Sequence, residues 1–193
     1  MSITNTPHEY GSIAKGFHWV IALLVIVMLI SGNFMDDIIN PSLRAFVYMM
    51  HKATGVLIFI LMTLRLLWAL NNRKPQLPNT VHFIEKILAR STQGVLYLLL
   101  FIMPLSGWLF TSVKGYPISF YGLFDFPLAP VLGQAYIGHF WRNAHTLLGW
   151  TLLVLISLHA LAALKHHFYD KDSLLTSMLP RQKSMVVKMR VKK

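Results

Sequence analysis

The sequence predicts an all-α fold, an integral membrane four-helix bundle with both termini on the cytoplasmic side. Three observations predict it. Hydrophobic residues make up 55% of the 193 residues, too large a share for an ordinary soluble domain. Four apolar runs, at 17–35, 46–70, 92–113 and 139–164, each reach the roughly 20 residues that cross a hydrocarbon core about 30 Å thick. The third observation is where the cations fall. With both termini inside, fourteen of the 18 Lys and Arg lie in cytoplasmic segments, and only Arg44, Lys52, Lys114 and Arg142 lie outside. That is the positive-inside bias, and it explains a net charge of +11 without a nucleic-acid partner.

Residues 1–181 read as one domain, with helices at about 15–36, 46–70, 84–113 and 139–168 and a basic cytoplasmic tail at 182–193. The tail suits either anionic headgroups or free solution. The lipid bilayer is the expected surrounding partner. Residues 1–16 are polar and form a lead-in. The first apolar run lies behind this segment and is too long for a signal-peptide core, so it is read as a retained helix.

Helix 1 brings in His18 at its inner end. Gly32 lies 14 positions on. Fourteen residues fall about 40° short of four turns and rise about 21 Å, so the two share a face at opposite membrane levels. Gly32 there is either room for a flat cofactor or an ordinary small contact residue. Asp36, Asp37, Asn40 and Pro41 are read as the first outer loop. Helix 2 then brings in His51 at the outer level, with Arg65 at the same 14-residue spacing. An arginine this deep needs a partner or a route to the headgroups. A carboxylate of a bound cofactor and snorkelling are the two readings.

Residues 71–79 form a polar inner loop. Helix 3 carries Pro104 and Gly107, a kink signal, and no histidine in its membrane interior, so it reads as scaffold. Residues 112–140 are too long for a tight turn and rich in aromatics, which suits an outer interfacial lid. Helix 4 carries His145 and His159, again 14 apart. His82, His139, His166 and His167 fall in loops or at boundaries and are read as surface or interfacial groups.

Alternating the helix directions puts His18 and His159 at the inner level and His51 and His145 at the outer level. Gly55 and Gly149 follow His51 and His145 at i+4, on the same helix face, as a flat ring beside each helix would require. Two histidines from different helices at one depth suit a six-coordinate haem between facing helices. Zinc would need a tetrahedral cluster. Cysteine is absent, which excludes disulfides, iron–sulfur clusters and thioether-attached haem.

The segments FHW (17–19), HKATG (51–55) with Arg65 downstream, MPLSGWL (103–109), KGYPISFYG (114–122) and ALKHHFYDKDSLLTSMLPR (163–181) resemble the bacterial cytochrome b561 family over nearly the whole chain. The resemblance implies two haem b groups between helices 1, 2 and 4, with His18, His51, His145 and His159 as iron ligands. It also implies a quinone as electron partner. Members resembling superoxide oxidase take electrons from superoxide on the periplasmic side and reduce ubiquinone. Others carry electrons between the quinone pool and a dehydrogenase, a hydrogenase or a periplasmic redox protein.

Overall fold

The computed structural model describes residues 2–7, 9–76, 81–131 and 135–180; the basic tail lies outside them. Four long helices carry the fold: α1 (Ser12–Phe34), α2 (Pro41–Leu70), α3 (Phe83–Val113) and α4 (Ala135–Lys165). Each is long and apolar enough to cross a membrane. A short α5 (Leu174–Met178) follows α4. A two-stranded antiparallel ribbon, β1 (Ile118–Phe120) and β2 (Phe124–Phe126), lies between α3 and α4.

The helix ends follow local chemistry that the apolar runs do not reveal. Asn40 and Pro41, expected in a loop, start α2. The Asn40 side chain accepts from the Leu43 N–H at 3.0 Å, and Pro41 occupies the first turn, where no N–H is needed. His82 is the N-cap of α3 in a capping box with Glu85, so this exposed histidine has a structural duty. α3 continues through Pro104 to Val113. α4 runs into a π-helical turn, His166–Asp170, which ends at Lys171 in the left-handed region (φ 55°).

The best-buried cluster joins Ile21 and Val25 of α1 to Ile58 and Met62 of α2, with Tyr97, Leu100, Phe101 and Ile156 against it. Many other large apolar side chains, such as Leu23, Ile30, Leu67, Leu98, Val154 and Leu161, face outward. A soluble bundle would bury such a surface; lipid tails accept it. Consecutive helices α1–α2, α2–α3 and α3–α4 lie along one another. Among the described residues α4 makes no extended backbone contact with α1 or α2.

Both ends of the bundle are tied shut. At the His18 end, Lys15 Nζ donates to the Leu179 carbonyl (3.1 Å) and Trp19 Nε1 to that of Met178 (2.8 Å). The N-terminal segment joins the 71–76 loop through Asn5 Nδ2 to the Arg73 carbonyl (3.0 Å) and Gln76 N–H to the Pro7 carbonyl (2.9 Å). Gly11 makes this fold-back fit, because a Cβ there would lie 2.3 Å from the Ile3 carbonyl oxygen.

At the His51 end the ribbon forms a cover. Trp108 Nε1 donates to the Pro127 carbonyl (2.7 Å), the Ala129 N–H to Ser112 Oγ (3.0 Å), and the Tyr121 hydroxyl meets Thr54 Oγ1 of α2 (2.9 Å). The expected outer lid is therefore a β-ribbon, a small departure from all-α. Its turn carries Tyr121 at φ 53° and Gly122 at φ 77°, the mirror-image geometry that hairpins prefer.

Candidate functional site

The four histidines of the apolar helices meet in two pairs. The rings of His18 (α1) and His159 (α4) are 6.4 Å apart between centroids and cross at 67°. Those of His51 (α2) and His145 (α4) are 6.3 Å apart and cross at 74°. Two metal–imidazole bonds of about 2 Å, plus roughly 1.1 Å from each ligating nitrogen to its ring centre, span about 6.2 Å. Both pairs have the spacing of two imidazoles on opposite sides of one metal ion.

The hydrogen bonds at the His51 end go further. Ser31 Oγ lies 3.0 Å from His51 Nδ1 and 3.2 Å from the Met28 carbonyl. A hydroxyl has one proton, and a carbonyl only accepts. With Ser31 donating to Met28, the bond to the ring must come from an Nδ1–H. His145 shows the same arrangement. Its Nδ1 lies 2.9 Å from Ser106 Oγ and 3.2 Å from the Met103 carbonyl, to which Ser106 also donates (2.7 Å). Both networks select the tautomer with a free Nε2 lone pair, the form that binds a metal.

Glycine gives the rings their room. A Cβ on Gly32 would lie 3.1 Å from His51 Cε1, and one on Gly107 would lie 3.0 Å from His145 Cε1. Gly32 thus makes way for an imidazole of the neighbouring helix, and Gly107 does the same rather than only loosening α3. Gly55 and Gly149 face the tips of Met28 and Met103, whose Cε atoms would be 3.8 and 3.4 Å from an added Cβ. The reading of helix 3 as bare scaffold is therefore corrected, since it supplies Met103, Ser106 and Gly107 to His145. The signal was in the sequence. The segments MLISG (28–32) and MPLSG (103–107) share a Met-x-x-Ser-Gly pattern.

The His18 end is built differently. Arg65 Nη2 lies 3.4 Å from His18 Nδ1, and the guanidinium carbon sits 5.2 Å from the Tyr97 ring centre. Tyr10, in the N-terminal segment, is held above its ordinary pKa by burial and by Tyr97, against the pull of Arg65. Arg65 is thus turned inward toward the histidine pair. An Nδ1 that receives an Arg donor is not the metal-binding tautomer, so a metal on His18 Nε2 requires the guanidinium to turn to another acceptor. One turn on, Trp68 Nε1 is buried with no hydrogen-bond partner among the described residues.

At the boundary of α4, His166 Nδ1 contacts Asp172 (2.7 Å) and Asp170 (2.9 Å). Glu85, His166 and Asp170 could together surround a cation. Lys165 Nζ already bridges Glu85 (2.7 Å) and Asp170 (2.8 Å), so these groups read as an ion-pair clasp between α3 and α4. His139 is exposed.

The cations expected outside lie around the His51 end. Arg44, Tyr48, Lys52, Pro117 and Ser119 line an open cleft of about 470 Å³. Arg44 and Arg142 act electrostatically on Tyr48, and Lys114 on Lys52. The Tyr48 hydroxyl is bonded to Asp36.

Comparison with known proteins decides the family. The family model of prokaryotic cytochrome b561 matches residues 9–181. The chain belongs to this family. It is 37% identical to cytochrome b561 homolog 2 of Escherichia coli K12, over 95% of this chain and 98% of that protein. It is 30% identical to a probable superoxide oxidase of Yersinia pestis, over 91% of this chain and 98% of the relative. As a cytochrome b561 it is a membrane electron-transfer protein, and the family implies haem b. The paired histidines and the tautomer set at the His51 end fit a haem whose iron two imidazoles would hold.

Proposed function

We propose that this cytochrome b561 carries two haem b groups, one held by His18 and His159 and one by His51 and His145. The His51 end faces the periplasm, both termini lie in the cytoplasm, and the membrane is the bacterial inner membrane. The haem groups supply one-electron iron redox. The protein's residues orient them, exclude water and set their surroundings. Arg65, with the Trp68 N–H one turn away, is placed for a haem carboxylate at the inner level. Gly55 and Gly149 leave room beside the outer ligands, where the tips of Met28 and Met103 pack.

On this reading the electron donor is superoxide and the acceptor ubiquinone. Two superoxide anions give up one electron each and become dioxygen; one ubiquinone takes the two electrons with two protons. The observation that carries this reading is the gathering of Arg44, Lys52, Lys114 and Arg142 around the His51 end, with Asp36 engaged by Tyr48. Such a patch draws in a small anion. The kinship with a probable superoxide oxidase also supports it.

The test is to mix purified, haem-loaded protein with a superoxide source and ubiquinone, and to follow quinol. Quinol formation that superoxide dismutase abolishes is the expected result. Reducible haem with no reaction toward superoxide would instead favour an electron carrier between the quinone pool and a dehydrogenase, hydrogenase or periplasmic redox protein.

A further inference from the structure

The two Met-x-x-Ser-Gly segments, on α1 and α3, do the same thing to two different histidines. In each, the serine hydroxyl donates to the methionine carbonyl three residues back and accepts from an imidazole Nδ1–H. In each, the glycine admits the edge of that ring. In each, the methionine tip lies over the glycine that follows the histidine by four residues, Gly55 or Gly149. The α1–α2 and α3–α4 hairpins thus present their histidines to one point in matched settings. Among the described residues nothing equivalent holds the other pair, where His18 Nδ1 faces the Arg65 guanidinium.

We propose that Ser31 and Ser106 are paired positioning residues that set the redox potential of the outer centre below that of the inner one, so that electrons run inward. The proposal rests on the reading of His51 and His145 as haem ligands.

An imidazole that donates its second N–H to an oxygen becomes a more electron-rich ligand. Electron-rich ligands favour the oxidised metal and lower its potential. At the other end a cation beside the pair favours the reduced state, since reduction adds negative charge that the cation stabilises. The two devices push in opposite directions, and the difference points from the outer centre to the inner one. The two serines are not equal. His145 Nδ1 has a second acceptor in the Met103 carbonyl at 3.2 Å, whereas Ser31 is the acceptor found for His51.

The test compares wild type, His51→Ala, Ser31→Ala, Ser106→Ala and Ser31→Thr as haem-loaded proteins, by haem content, potentiometric titration and electron paramagnetic resonance. His51→Ala identifies the outer component as the one it loses. Ser31→Ala should keep both haems and raise the outer midpoint. The reduced-to-oxidised ratio at fixed potential should rise on the order of threefold to tenfold, the scale of one hydrogen bond. The inner midpoint should not move. Ser106→Ala should give a smaller rise, and Ser31→Thr, which restores a hydroxyl, should return the value toward wild type. Two haems with an unmoved outer midpoint in both alanine variants would overturn the proposal. Should Ser31→Ala lose the haem, Ser106→Ala carries the measurement, and an unmoved midpoint there overturns it. Retention of both haems by His51→Ala would instead overturn the ligand assignment beneath it.

Discussion

Four imidazoles and one guanidinium concentrate the chemistry at the residue scale. His18 faces His159 and His51 faces His145 across about 6.3–6.4 Å. On the proposed ligation, replacing any one of the four by alanine should remove about half of the haem, because each pair would hold one group through both of its imidazoles. His18→Ala and His159→Ala should delete the same spectral component, and His51→Ala and His145→Ala the other. Loss of one shared component in His18→Ala and His51→Ala would break the pairing. Arg65→Gln should lower the inner midpoint by an energy of roughly 1–2 kcal/mol, as for a cation some 8–15 Å away at an effective dielectric near 20. A moved outer midpoint beside a fixed inner one would contradict that. That the four histidines meet in two pairs, with Arg65 beside one of them, was legible because a 14-residue spacing survives any detail of packing. Ser31 and Ser106 went unread, Gly32 stayed open between two readings and Gly107 was read only as part of a kink, because what they do depends on which neighbouring helix faces them.

Elements differed in how openly the sequence announced them. The four helices are written in apolar runs that periodic composition exposes, while their first turns are written in caps. Asn40 and Pro41 look like a loop until the Leu43 N–H is seen to need an acceptor. The ribbon is the main surprise. ISF and FDF on either side of Tyr121–Gly122 do alternate, but three-residue strands carry little periodic signal. Tyr121 sits where Asn, Asp or Gly is usual, and its left-handed backbone costs on the order of 1–3 kcal/mol. The Tyr121 hydroxyl on Thr54, one turn from His51, is what that conformation delivers. Tyr121→Phe should remove about 0.5–1.5 kcal/mol of closure. Amide exchange across residues 114–131 should quicken by up to about tenfold, with haem content unchanged. Exchange as slow as in wild type would mean that the ribbon is held by Trp108 and Ser112 alone.

For the whole molecule, the placement of 18 cations carries the expectation of which way the chain crosses the membrane. The electron donor was not legible there, because a few outer cations also suit a docking protein. If superoxide is the donor, its second-order rate should fall as salt rises, since screening at ordinary ionic strength acts within about 8–10 Å. Neutralising Lys52 and Arg142 together should lower the rate several-fold at low salt, leave haem content alone, and matter little at high salt. Pulse-generated superoxide against the fully oxidised protein reads this directly, and a rate indifferent to both changes would discard the steering argument.

One feature of the helix packing reaches beyond redox chemistry. Among the described residues α4 lies along α3 and reaches α1 and α2 through side chains, Ile156 on their core and its two histidines in the two pairs. A ligand that binds only the assembled bundle stabilises it by mass action, and here such a ligand would rivet the fourth helix to the first two. The quantity of this protein in a cell would then follow the supply of haem rather than the rate of translation. Under haem starvation, newly made chains should be degraded several-fold faster, with cleavage starting near α4, and restored haem should rescue their lifetime. Equal lifetimes with and without haem synthesis would show that the bundle closes by itself.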